Sequence, residues 1–160
     1  MYQFSHVSQE TFDDVWIDNI SYIYSPPDVS EIKLPARATS DSAGYDFFMP
    51  ADMTLYPGER YVIPTGVRAK IPHGSFLMLV PKSGLSFKYG TRLLNTVGIV
   101  DADYINSDNE GHILVGLTVD KKLELSEGQK FVQGIILPYL TLDDDNTTEV
   151  RNGGFGSTGA

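Results

Sequence analysis

Turn residues cut this chain into pieces too short for helices of ordinary length. Pro57-Gly58, Pro64-Thr65-Gly66 and Pro72-His73-Gly74 recur at close intervals, and such pairs are the strongest local breaks in a polypeptide. Around and beyond them lie Tyr61-Val62-Ile63, Gly66-Val67-Arg68-Ala69 and residues 75–80, then His112-Ile113-Leu114-Val115 and residues 131–137. These runs are rich in β-branched and aromatic residues, which suit a pleated, half-buried surface. Many short strands with regular turns indicate a β-sandwich or jelly roll. One short helix is expected inside this β domain, over residues 83–89.

Residues 8–19 read differently. Phe12, Val15, Trp16 and Asn19 recur at helical spacing, and Ser25-Pro26-Pro27 would stop a helix before the β domain begins. The chain divides into an extension (1–30), a β domain (31–142) and a tail (143–160). The extension is expected to be a packing element or a trimer-edge decoration. Asp143-Asp144-Asp145 and the polar residues after it read as a solvated linker, since like-charge runs are usually exposed.

The 160 residues suffice for one domain with a sizeable core. With no cysteine there is no disulfide, thiolate nucleophile or zinc–thiolate site, which fits a reducing cytosol. A cytoplasmic protein is expected, in a host cytosol if phage-encoded. No apolar run is long enough to span a membrane, and no basic start followed by an apolar stretch marks a signal peptide. The net charge of −9 argues against nucleic-acid binding, which needs a basic footprint. His6, His73 and His112 share no metal-ligand spacing and read as surface or structural residues.

Two segments carry chemistry. Asn95-Thr96-Val97-Gly98-Ile99-Val100-Asp101-Ala102-Asp103-Tyr104 sets apolar residues around a glycine, then two carboxylates and an aromatic. It reads as a β-hairpin bent at Gly98. Asp101, at the rim of an apolar run, is a candidate general base, and Tyr104 could lie against a ring-shaped ligand. The bland alternative is a surface hairpin with an Asp-rich turn. The chain then ends Arg151-Asn152-Gly153-Gly154-Phe155-Gly156-Ser157-Thr158-Gly159-Ala160. Glycines let backbone N–H groups turn toward an anion, Ser157 and Thr158 add hydroxyls, and Arg151 can grip phosphate. Phe155 is placed to cap a base. No lysine follows as a Walker loop requires. A plain Gly/Ser tail is the alternative, but it leaves Arg151 and Phe155 unexplained.

Together these segments resemble the third and fifth motifs of the trimeric dUTPase family, in its Gram-positive and phage-like branch. Ala43-Gly44-Tyr45-Asp46-Phe47 is similar to the first motif, Pro81-Lys82-Ser83-Gly84-Leu85 to the second, and Gly128-Gln129-Lys130-Phe131-Val132-Gln133 to the fourth. All five fall in the family's order between residues 31 and 160. Lys82 stands where the family usually has arginine, giving a point charge in place of a fork. Lys130 replaces a frequent arginine, and Arg151 lies one residue closer to the double glycine than in many members. Ile105-Asn106-Ser107-Asp108-Asn109-Glu110 reads as an insertion after Tyr104.

The resemblance implies a distorted jelly roll assembling as a homotrimer, and Mg²⁺-dependent hydrolysis of dUTP to dUMP and pyrophosphate. That reaction limits uracil incorporation into DNA and supplies dUMP for thymidylate synthesis. Asp101 is then the base for the attacking water, and Asp46 holds the hydrated Mg²⁺ through water, with Gln133 ordering the same region. Lys82, Ser83 and Gly84 cradle phosphates. Arg151, Gly156, Ser157 and Thr158 close over the outer phosphates, and Phe155 stacks on uracil. Asn95 and Gly98 read the base, and Tyr104 packs under the sugar. Each site draws its first, second and fourth motifs from one chain, its third from a neighbour and its fifth from the remaining chain. Read alone, Asp46 could equally be a strand-end turn residue and Gln133 a buried amide.

A dCTP deaminase shares this fold, but its glutamate on the strand after the third motif has no counterpart between Gly111 and Val119. A regulatory role, in which the insertion Ile105-Asn106-Ser107-Asp108-Asn109-Glu110 or the N-terminal segment binds a protein partner, is the alternative of another class; neutral loop variation is the commoner outcome.

Overall fold

The structure is a computed structural model that describes residues 1–20, 25–149 and 151. It opens with strand β1 (Gln3–His6) and helix α1 (Gln9–Asn19). Short strands follow: β2 (Ala36–Arg37), β3 (Tyr45–Phe48), β4 (Met53–Leu55), β5 (Tyr61–Pro64), β6 (Val67–Lys70) and β7 (Ser75–Pro81). Helix α2 (Ser83–Tyr89) comes next, then β8 (Arg92–Leu93), β9 (Gly98–Asp101), β10 (Leu114–Thr118), β11 (Leu123–Leu125) and β12 (Lys130–Pro138). The jelly-roll expectation holds, and α2 occupies the residues read as its one short helix.

The largest sheet runs β2-β3-β12-β7-β9, and a second runs β5-β10-β8. Two antiparallel pairs, β1-β6 and β11-β4, close the ends. The two-residue period of the strands points Leu77 and Leu79 of β7 inward, together with Ile63 of β5 and Val115 and Leu117 of β10. Phe47, Phe131 and Val132 complete the apolar layer between the sheets.

The N-terminal segment packs as part of this core, in line with the packing half of its expected role. Ser8 caps α1, its hydroxyl oxygen accepting from the Thr11 N–H, which satisfies one donor that a helix start otherwise leaves open. Phe12 and Trp16, one turn apart, are both 0 % exposed, with rings 5.5 Å apart. Burying two such rings is worth several kcal/mol at roughly 25 cal/mol per Å² of apolar surface. The helical spacing announced an inward stripe but not the surface that would receive it.

The expected hairpin at Gly98 does not form. β8 pairs with β10, whereas β9 pairs with β7, so the residues flanking the bend belong to different sheets. The left-handed backbone falls on Thr96 (φ 68°), not on Gly98. Gly98 sits opposite Leu79 in the ladder, where a Cβ would stand 2.9 Å from Leu79 Cβ. Glycine is needed there for close approach, not for the turn. The strand read as starting at His112 starts at Leu114, because the His112 ring is turned into the core.

Candidate active site

The split between sheets at residues 94–97 creates a cavity of about 230 Å³. Leu79, Val100, Ile113 and Val115 give it apolar walls. Asn95, Gly98, Asp101, Tyr104 and Arg151 also line it, so five of the residues singled out from sequence meet around one space. An apolar hollow with a few convergent polar groups is the usual form of a small-molecule site. Thr96, beside Asn95, holds a left-handed backbone that β-branched residues rarely adopt. Strain of this kind, of order 1–3 kcal/mol, tends to collect at functional positions.

Asp101 ends β9 at the mouth of the cavity, with its side chain 50 % exposed. The Arg151 guanidinium joins it to Asp103, donating from Nη2 to Asp101 Oδ2 and from Nε to Asp103 Oδ1 at 3.1 Å. The same guanidinium lies 5.7 Å from the centre of the Tyr104 ring. Tyr104 is buried on a single 3₁₀ turn, Tyr104–Asn106, and its hydroxyl donates to the His112 carbonyl at 2.9 Å. Burial pushes the Tyr104 phenol up, opposed by the Asn109 hydrogen bond and the nearby Arg151. It stays a neutral wall at any ordinary pH.

A second cluster forms on β3, β12 and the start of α2. Asp46 is 2 % exposed on β3. Lys82 Nζ donates to its Oδ1 at 2.6 Å, and Lys130 Nζ lies 2.7 Å from its Oδ2. A bulge at Phe131 sets this up: Lys130 opposes Phe48 and Val132 opposes Phe47, so Phe131 turns into the core while Lys130 reaches Asp46. Gln133 lies opposite Asp46, and its amide fills the space that a Cβ on Gly44 would claim at 2.5 Å. Lys82 precedes α2 as its cap without a capping side chain, and Ser83 and Gly84 are the first helical residues, whose N–H groups have no partner within a helix.

Burial works to raise the Asp46 carboxyl, but hydrogen bonds from Lys130 and Lys82 outweigh it and hold it below the usual range. As placed, Asp46 anchors two lysines. It was expected to hold a hydrated Mg²⁺ through water, yet both its oxygens are engaged and water reaches 3 % of its side chain. Among the described residues no three His, Asp or Glu side chains converge on a metal position. The described residues therefore offer no cage of direct metal ligands, and an ion near Asp46 would be held through water, as expected. Asp46→Asn should cost about 1–3 kcal/mol of stability, below the full penalty for breaking a buried pair because both lysines keep some contact with water. The Asp46 contribution is present above the ordinary carboxylate range and lost as pH falls through the lowered value. Denaturant titrations of both proteins at pH 7 and in acid should show the gap narrowing at low pH.

The two clusters do not meet within one chain. Asp101 sits opposite Phe76 at one end of β7, and Lys82 follows Pro81 at the other. At about 3.3 Å per residue they are roughly 20 Å apart along the strand. Sequence reasoning gave Lys130, Asp103, Asn109 and Glu110 no individual site role. Lys130 and Asp103 were within reach as charged residues inside the fourth and third motif segments. Asn109 and Glu110 carry no local signal. Phe155, Gly156, Ser157 and Thr158 lie outside the described residues.

The dUTPase family model matches residues 30–159. The deoxyuridine 5'-triphosphate nucleotidohydrolase of Lactococcus lactis subsp. lactis (strain IL1403) is 40 % identical over 134 residues, covering 81 % of this chain and 89 % of the relative. The crystal structure of dUTPase from Streptococcus mutans is 30 % identical, covers 88 % of this chain and 98 % of its own, and superposes with a TM-score of 0.65. The D95N mutant of the dUTPase from phage phi11 of S. aureus is 21 % identical with a TM-score of 0.64, covering 93 % of this chain and 97 % of its own; its structure details the coordination of a structural Mg(II) ion.

Proposed function

Since the chain belongs to the dUTPase family, we propose that it hydrolyses dUTP to dUMP and pyrophosphate in a site assembled between copies of itself, with Asp101 as the base. The observation that carries this reading is the cavity that gathers Asn95, Gly98, Asp101, Tyr104 and Arg151. Uracil enters between β9 and β10. Backbone groups near Gly98 and the Asn95 amide read its edge, and cytosine would leave those groups unpaired. The close approach of Gly98 to Leu79 leaves the pocket little room to expand for thymine. Tyr104 closes beneath the sugar, where a ribose 2′-hydroxyl would collide.

At the mouth, Asp101 accepts a proton from a water as its oxygen bonds to the α-phosphorus. The bridging P–O bond then breaks and pyrophosphate leaves. Orientation of that water is the main contribution a carboxylate can make here. Lys82, fixed by Asp46, meets the phosphates with the first N–H groups of α2. Arg151 exchanges its carboxylates for phosphate oxygens, with Gly156, Ser157 and Thr158 assigned to the outer phosphates and Phe155 to stacking on uracil. Mg²⁺ on the triphosphate supplies charge neutralisation when bound, its ligands coming from phosphate and water.

The roughly 20 Å between Asp101 and Lys82 supports a shared site, because the outer oxygens of a triphosphate lie only a few bonds from its α-phosphorus. A homotrimer, the assembly implied by the motif resemblance, supplies the missing half from a neighbour. Among the described residues no helix is long and apolar enough to cross a membrane.

Pyrophosphate release measured with dUTP, dCTP, dTTP and UTP tests the reading. Release from dUTP alone is expected, and equal release from all four would overturn it. Asn95→Ala should narrow the preference for dUTP over dCTP by about tenfold or more, since a polar reader of the base edge is lost, with little change in Ki for imidodiphosphate, which reports the pyrophosphate-side contacts.

A further inference from the structure

The N-terminal segment and the loop after Tyr104 meet at one carboxylate. Residues 1–29 precede the family match, and Glu110 ends the segment read as an insertion. Glu110 Oε1 accepts from the Ser8 and Thr11 hydroxyls, the latter at 2.6 Å. Its Oε2 accepts from the Ser8 N–H at 3.0 Å and from Arg68 Nη1 at 3.4 Å. All the α1 donors it meets belong to the capping turn of that helix, and the helix is itself locked into the core by Phe12 and Trp16.

From Glu110 the connection continues to the cavity wall. Glu110 holds a left-handed backbone, φ 59°, unusual for this residue type. Its N–H donates to the Ser107 carbonyl at 2.8 Å. Next to it, Asn109 Nδ2 donates to the Tyr104 hydroxyl at 2.9 Å, and its Oδ1 accepts from the Gly111 N–H at 3.1 Å. Arg68, which pairs with Glu110, also donates from Nη2 to the Ile105 carbonyl at 3.4 Å. The loop after Tyr104 is thus held at both ends, and the carboxylate of Glu110 is where it is fastened to α1.

We propose that the N-terminal segment is a strut that positions Tyr104 through Glu110, and so sets how strictly the site selects deoxyribose over ribose. Glu110 is a positioning residue: it touches neither substrate nor reacting atoms. The inference rests on the reading above that Tyr104 closes beneath the sugar. The insertion, considered earlier as a surface for a protein partner, spends Glu110 and Asn109 inward.

The test uses the full chain. Glu110→Gln keeps size but turns an amide N–H toward the Ser8 and Thr11 donors. The double variant Ser8→Ala/Thr11→Val removes those donors and keeps Glu110. Leu55→Ala, in the β4-β11 pair, is the control for general loss of stability. kcat/KM is measured for dUTP and UTP, with Tm beside it. Glu110→Gln and Ser8→Ala/Thr11→Val should each lower the dUTP/UTP ratio about tenfold, chiefly by raising kcat/KM for UTP, as expected when a wall that excludes the 2′-hydroxyl shifts by a fraction of an ångström. Leu55→Ala should lower Tm and leave the ratio alone. An unchanged ratio in both strut variants, with Tm lowered, would overturn the proposal. Tyr104→Ala separates the two layers of the argument. If it shifts the ratio while the strut variants do not, the strut alone fails; if Tyr104→Ala also leaves the ratio unchanged, the sugar-wall reading fails and the proposal with it.

Discussion

Asp101→Asn is expected to lower pyrophosphate release from dUTP by about 10²–10⁴-fold, the usual contribution of a positioned general base. Asparagine keeps the shape at the end of β9 and can still hold a water, but it cannot take the proton. The loss should therefore fall on kcat, with KM little changed. The side chain is half exposed and outside the core, so Tm should move little. Arg151 gives a second check. It bridges Asp101 and Asp103, and Asp103→Asn removes the charge from one arm of that bridge without touching the proposed base. Asp103→Asn should cost far less than Asp101→Asn. A loss below tenfold in Asp101→Asn, or equal losses in the two variants, would mean that the pair acts as an anchor for Arg151 and that the base lies elsewhere.

What was legible in the sequence follows from where each signal resides. Turn chemistry and β-branched runs are local, so β5, β6 and β7 appear close to where Pro57-Gly58, Pro64-Thr65-Gly66 and Pro72-His73-Gly74 placed them, and β12 where the run 131–137 placed it. The Ser83 to Tyr89 helix was readable for the same reason. Pairing is not local. Residues 95–101 looked like a hairpin because an apolar run surrounds a glycine, yet β9 finds its partner in β7 and leaves β8 to β10. That non-local choice opens the cavity, so the misread hairpin and the site have one cause.

The site was legible by residue type and order but not by geometry. Asn95, Gly98, Asp101, Tyr104 and Arg151 were each visible, and the fold brings them together. The anchoring of Lys82 and Lys130 by Asp46 was not visible, because it depends on a bulge that turns Phe131 inward. Glu110 was still harder to see, since Ser8 lies 102 residues away from it. A polar residue in a loop carries no mark of so distant a partner.

The separation of the two clusters leads to the largest recovery of activity. Asp101→Asn and Lys82→Ala should each be nearly inactive as pure proteins. Unfolded together in equal amounts and refolded, they should regain activity that neither shows alone. A site that takes Asp101 from one copy and Lys82 from its neighbour is complete wherever a Lys82→Ala chain supplies the base to an Asp101→Asn chain. In random closed trimers that happens at about a quarter of all sites. The mixture should thus reach about a quarter of wild-type dUTP turnover per site, on a background that general-base loss alone would set at 10²–10⁴-fold below wild type. Refolding each variant alone controls for the procedure, light scattering shows whether trimers have re-formed, and native mass spectrometry shows whether they contain both variants. Activity that stays at the average of the two parents, in a mixture shown to contain mixed trimers, would place both residues in one chain's site. The roughly 20 Å between them would then have to close by a rearrangement of β7 and α2, since the β7 register with β9 forbids it as the chain stands.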